Sequence, residues 1–562
     1  MLGHRFGFVA LTLAGLLLAG PAAAAPEVVT LGSGPAGDPV AACGDMASSP
    51  WEAGREGGLT DEQVFIDGAI AACEAALEAE PQSAQAQAWL ARAYFLAGRR
   101  DEAAALLETA SAGGNPFAAY LLSEILGRQF GGGAAQDPDR AVSLLFAAAD
   151  GGFAPALADL AARYETGNGL DADLFEAERL YGLAAEQDYG PAVYKLGYFA
   201  HAGFTAAADY ARAAELYERA AALGEPLGNN GLGQLYEYGQ GVTQDYARAV
   251  EYYTLAADAG EKMSQTALAY FYEQGLGVAQ DYSRSFELLT AASGQDWGFA
   301  HAALAIHYLF GQGTAVDEGK AFDLAWRARG LGVVYAQGII GYLYQNGLGT
   351  GRDLPQARFH YEEGANGGDQ YSADQLPLVD AELACEDAAG SPHEPGSGGR
   401  GLPFEAIIPD DAIPLCENAV AANPQPVGNR VWLGRALARA ERFDEAVPLL
   451  EEGVVAGNVL AHVVLGDLLM AGAGVDEDPE RAIGLYRAVA QTFGPAQLSL
   501  GLAYANGIGV PQDREEALRW LRRADEMGVE EAVPELTALL GEGEGEADSV
   551  DLTGFGRAGP AY

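Results

Sequence analysis

Residues 226–261 read PLGNNGLGQLYEYGQGVTQDYARAVEYYTLAADAGE, and this stretch decides the fold. Leu232, Leu235 and Tyr236 stand at i, i+3 and i+4, the spacing of one apolar helical face. Gly239-Gln240-Gly241 ends that helix, because glycine takes the left-handed backbone of a helix stop at little steric cost. Asp245 then stands where an N-cap carboxylate meets the free amides of a second helix. That helix runs through Ala249, Val250, Tyr253 and Ala256-Ala257, and Gly260 closes it. Small residues such as Gly233 and Ala249 let the two helices approach closely.

The unit recurs along the chain. Asp137, Asp173, Asp209, Asp245, Asp281, Asp317 and Asp353 step by 36 residues. Gly131, Gly167, Gly203, Gly239, Gly275, Gly311 and Gly347 keep the same step, as do Ala141, Ala177, Ala213, Ala249, Ala321 and Ala357, with Ser285 in the gap. A fixed period of this length marks a stack of helical hairpins. A single hairpin cannot cover its own apolar face, so its neighbours must. The pattern predicts an all-α, right-handed superhelical solenoid of helix-turn-helix repeats. Tyr164, Tyr236, Tyr272, Tyr308 and Tyr344 keep the step and are expected in the inter-repeat core. Tyr198, Tyr238, Tyr270, Phe310 and Tyr342 fall on the opposite side of the first helices. They are the candidate partner-binding residues, since accessible aromatics make good anchors.

The stretches LGQLYEYGQGVTQDYARAVEYYTLAADAG (232–260) and LGLAYANGIGVPQDREEALRWLRRADEMG (500–528) resemble the Sel-one-like repeat, an α-solenoid subclass of the tetratricopeptide repeats. Seven such units fill about 118–369 and two fill about 459–529. Phe204-Thr205 replaces one loop glycine, and Thr314 stands where valine is usual. The resemblance implies a scaffold for protein partners, of the kind that acts in signalling, protein quality control and envelope regulation. Some cysteine-rich relatives were proposed to be hydrolases. They carry paired cysteines in every repeat, and this chain does not.

A longer duplication carries the four cysteines. AIAACEAALEAEP from Ala69 matches AIPLCENAVAANP from Ala412, and with the same offset Trp89 matches Trp432 and Arg92 matches Arg435. Upstream, CGDMASSP at Cys43 matches CEDAAGSP at Cys385. Four cysteines allow three connectivities; one pair per copy favours Cys43 with Cys73 and Cys385 with Cys416. Each closed loop would add about 3–4 kcal/mol in the chain-entropy model. The expected organisation is a signal peptide over 1–24, a cysteine-bearing head and tetratricopeptide-like pair over 25–115, and seven repeats over 116–369. A second head and pair follow over 370–458, then two repeats and a capping helix over 459–540 and a disordered acidic, glycine-rich tail over 541–562.

His4 and Arg5, the apolar run from Phe6 to Ala19, and Ala22-Ala23-Ala24 read as an export signal with cleavage before Ala25. No segment is long and apolar enough to read as a membrane span. With family resemblance and Ala/Gly-rich composition, this points to a bacterial periplasm. The net charge of −47 argues against nucleic acid or an anionic membrane as partner, because phosphate neutralisation needs Lys and Arg. It fits solubility, a basic partner or divalent cations.

Catalytic signatures are missing from the sequence. No serine has glycine two places before and two after, and GTAVDEGKA lacks the first glycine and the hydroxyl residue of a phosphate-binding loop. His201, His301, His307, His360, His393 and His462 match no metal-ligand spacing, and the acidic groups at Asp171–Glu178 and Asp476–Glu480 lack the calcium-loop pattern. The sequence reads as a non-enzymatic adaptor for protein partners, with no cofactor and no metal. A carbohydrate- or peptidoglycan-binding envelope factor, with tyrosines stacked on sugars, is the alternative.

Overall fold

The computed structural model describes residues 38–52, 58–127 and 137–541. The export signal and the tail after Gly541 lie outside them. Among the described residues there are 27 α-helices and no strand, a helical solenoid. Described residues up to Gln295 form one compact unit, and those from Asp296 onward form a second.

In the first unit the hairpin at 226–261 has helices Pro226–Tyr238 and Tyr246–Asp258. Gly239 ends the first helix at φ 66°, in the left-handed region where glycine avoids a Cβ clash. The Asp245 side chain accepts from the Arg248 amide at 3.1 Å, which caps the second helix. The Asp245 amide itself donates to the Tyr236 carbonyl at 2.9 Å and pins the turn. The same 2.9 Å bond joins Asp281 to Tyr272 here, and Asp317 to Tyr308 and Asp353 to Tyr344 in the second unit. Neighbouring first helices approach one another, as Gly190–Ala202 and Pro226–Tyr238 do, and so line one side of the stack.

The core differs from the expectation in one respect. Tyr164, Tyr236, Tyr272, Tyr308 and Tyr344 are half-buried. Tyr236 stacks on Tyr252 at 5.6 Å and lies under the Arg248 guanidinium at 4.5 Å. Tyr181, Tyr217, Tyr253, Tyr361 and Tyr486, all on second helices, are fully buried instead. The reason is steric. A Cβ on Gly233 would stand 2.7 Å from the Tyr253 ring, and Gly197, Gly341 and Gly466 clear the same space for Tyr217, Tyr361 and Tyr486. In these four hairpins a glycine on the facing helix supplies the gap for the buried ring; the hairpin of Tyr181 has Ala161 at that position.

Each cysteine-bearing head ties an irregular loop to the first helices of its copy. In the first unit Cys43 on Pro39–Ala47 is bonded to Cys73 on Ile66–Ala79. In the second, Cys385 on Gln370–Ala389 is bonded to Cys416 on Pro409–Ala422. A buried arginine holds each loop. Arg92 donates to the Ala47, Ser48 and Leu59 carbonyls and to Asp61. Arg435 donates to the matching Ala389, Gly390 and Leu402 carbonyls, with Phe404 where the first copy has Asp61. Burial lowers the Arg435 guanidinium to about 9, against the upward pull of Glu394, Glu405 and Asp467.

Candidate functional site

The candidate binding residues divide between the two units. In the first, Tyr198 stands on Gly190–Ala202, Tyr238 at the end of Pro226–Tyr238, and Tyr270 on Lys262–Gln274. Tyr198 and Tyr270 occupy the same repeat position. Tyr238 lies one helical turn further along in the repeat between them, so all three project from one face. Tyr238 is 52% exposed, and Tyr198 and Tyr270 are half-buried. In the second unit Phe310 and Tyr342 repeat the alternation, with ring centroids 6.2 Å apart and both rings half-buried.

Beside the first unit's tyrosines run Glu165, His201, Glu237 and Glu273, again at the repeat step. Each is held from behind by the second helix of its hairpin. The Tyr181 hydroxyl donates to Glu165 at 2.7 Å, Tyr253 to Glu237 at 2.5 Å and Ser285 to Glu273 at 2.8 Å. His201 Nδ1 lies 3.1 Å from the Tyr217 hydroxyl. Burial raises the Glu237 carboxyl above its ordinary range, against the pull of the tyrosine hydroxyls, and lowers His201 toward the neutral form. Lys195 sits on the same face, 3.0 Å from Glu165, with its ammonium 5.7 Å from the Tyr198 ring. The face is therefore aromatic and acidic, and its polar groups are fixed by buried hydroxyls. Sequence reading missed this carboxylate row, although its spacing was available one turn beyond Tyr198 and Tyr270.

His301, His307, His360 and His462 are buried and bonded to Asp296, the Gln312 carbonyl, Gln337 and the Asn458 carbonyl respectively. Among the described residues no three His, Cys, Asp or Glu side chains converge as a metal site. No described helix is long and apolar enough to cross a membrane.

The Sel1 repeat model matches residues 116–153, 154–189, 190–225, 226–261, 262–296, 298–328, 334–369, 459–491 and 494–529. The chain belongs to the Sel1 repeat family. Tetratricopeptide repeat models match 66–122 and 409–471, each running into the Sel1 repeat that follows it. Proteins built from Sel1 and tetratricopeptide repeats generally mediate protein–protein interactions and are typically non-catalytic scaffolds. The chain is similar to a protective antigen of uropathogenic Escherichia coli that displays an SLR fold, at 24% identity and TM-score 0.43 over 80% of this chain and 98% of that one. It is also similar to a Sel1 repeat protein from Oxalobacter formigenes, at 28% identity and TM-score 0.40 over 43% of this chain and 96% of that one. No curated protein matches the sequence.

Proposed function

We propose that this protein is an exported, non-catalytic Sel1 repeat scaffold that docks a protein partner on the tyrosine face of its first unit. One observation carries the reading: Tyr198, Tyr238 and Tyr270 share a face with Glu165, Glu237 and Glu273. Aromatic rings flanked by carboxylates favour Lys and Arg side chains, by cation–π contact and by ion pairing. A partner with a basic, extended segment fits this face, and an envelope sensor or enzyme under regulation is the concrete form. Export rests on the sequence of residues 1–24, and two disulfides suit an oxidising compartment such as the periplasm.

Affinity capture from periplasmic extract, comparing the parent chain with a Tyr238→Ala, Tyr270→Ala variant, tests the reading. The expected result is a basic-segment protein captured by the parent and lost at least tenfold by the variant, with an unchanged melting curve. Equal capture by both, or retention of peptidoglycan alone, would overturn it. The latter would favour the carbohydrate reading, which the exposed Tyr238 ring also suits.

A further inference from the structure

The two heads share a buried node that is filled differently in each copy. In the first copy Glu52 accepts from the indole Nε1 of Trp89 at 2.8 Å and from the side-chain amide of Gln85. The Gln85 carbonyl oxygen accepts from Asn115 Nδ2 at 2.9 Å. One carboxamide is thus gripped at both ends, its N–H₂ by a glutamate and its C=O by an asparagine. The second copy keeps the grip. Trp432 Nε1 donates to Glu394 at 2.7 Å, and Asn458 stands where Asn115 stood. The gripped residue is gone, because Gly428 occupies the position of Gln85. Asn458 Nδ2 now reaches Glu394 directly, at 3.4 Å, the long limit of a hydrogen bond. Beside these residues lies a cavity of about 360 Å³, lined by Gly428, Trp432, Glu394 and Asn458 and walled by Arg352 and Glu382.

Arg352 is already committed to that wall. It bonds Glu382 at 3.0 Å and Glu386 at 2.9 Å, with its guanidinium 5.2 Å from the Trp432 ring. The seat itself is left with the acceptor and donor that hold an amide in the first copy. A volume of this size suits a small ligand or one side chain of a larger one.

We propose that this cavity is a binding site for a primary carboxamide presented from outside the chain, as free glutamine or as a glutamine side chain of a peptide. The ligand's N–H₂ donates to Glu394 and its C=O accepts from Asn458. Glutamate, of the same shape, would set a carboxylate against Glu394 and is rejected. The site is separate from the tyrosine face and does not depend on it.

The test is saturation-transfer NMR and calorimetry on the full chain with L-glutamine, the tripeptide Ala-Gln-Ala, L-glutamate and N-acetylglucosamine. Saturable binding of glutamine or of the tripeptide, at least tenfold tighter than glutamate, supports the site. If only the tripeptide binds, the source is a peptide side chain; if free glutamine binds, the source is the amino acid. The Gly428→Gln variant supplies its own carboxamide. A Cβ there meets nothing closer than 3.4 Å, so the variant should fold, melt no lower than the parent and lose glutamine binding at least tenfold. Absence of binding by both glutamine probes, equal binding of glutamate, binding of the amino sugar alone, or undiminished binding by Gly428→Gln would each show that water alone fills the cavity or that it selects another chemistry.

Discussion

Asp467 lies buried on the helix Val459–Ala471, with the Tyr486 hydroxyl donating to its Oδ1 at 2.6 Å. Burial pushes its carboxyl up from 3.8 to about 7, against the downward pull of Tyr486, Arg435 and Ser499. An acid whose folded pKa is raised binds its proton more tightly folded than unfolded. Stability from this group is therefore full below about pH 4 and declines as pH rises to about 7. The shift of about three units corresponds to about 4 kcal/mol over the whole window, of which roughly 3 kcal/mol falls between pH 5 and 8. Asp467→Asn keeps an oxygen for Tyr486 and removes the charge. The variant should hold this region more firmly than the parent by about 4 kcal/mol at pH 8 and by only 1–2 kcal/mol, roughly, at pH 5. Hydrogen exchange on peptides from 459–506, corrected for intrinsic rates, reads the local opening free energy at both pH values. The other carboxylates titrate in both proteins and cancel in the difference. A parent–variant gap independent of pH, or one that widens toward pH 5, would show that Asp467 is not protonated preferentially in the folded chain.

Three further outcomes follow from the packing. Gly466→Ala places a Cβ 2.4 Å from the Tyr486 ring and should cost roughly 1–3 kcal/mol; adding Tyr486→Leu should recover part of it, since the repeats themselves pair Ala269 with Leu289. Denaturant melts of the two single variants and the double variant measure that coupling. Arg435→Gln strips donors from three loop carbonyls and should cost about 3 kcal/mol, seen as faster proteolysis within 390–403. Replacing Cys43 and Cys73 by serine releases a loop with a sequence separation of 30 and should lower the first head's stability by about 3–4 kcal/mol, and unchanged exchange in 66–79 would count against the chain-entropy estimate.

The hairpins were legible because their punctuation is local. A glycine that must take positive φ at Gly239 and an aspartate that must cap at Asp245 are each demanded by the backbone within a few residues. Which tyrosine fills the core was not legible from the stripe alone. Tyr236 and Tyr253 both keep the period, and the choice rests on Gly233, which belongs to the facing helix. The carboxylates at Glu165, Glu237 and Glu273 were hidden for a different reason. Their 36-residue spacing is readable, but in a chain of 79 acidic residues it points to no function until a buried hydroxyl, from Tyr181, Tyr253 or Ser285, is seen to orient each one.

The same logic explains why departures from the repeat carry more information than the repeat does. A solenoid holds its stacking positions constant because each hairpin must shelter the next, so substitutions there are constrained by volume, as in Gly233 with Tyr253. Positions that keep their surroundings while losing their own side chain are not explained by stacking. Gly428 is such a position: Glu394, Trp432 and Asn458 retain the arrangement that holds Gln85 in the first copy, and with the carboxamide gone Asn458 reaches Glu394 only by a long 3.4 Å bond that an amide ligand could replace with two shorter ones. Repair by substitution is open at this site, since a Cβ fits, and yet glycine stands there. A vacated seat with its grip intact is what a binding site derived from an internal contact looks like.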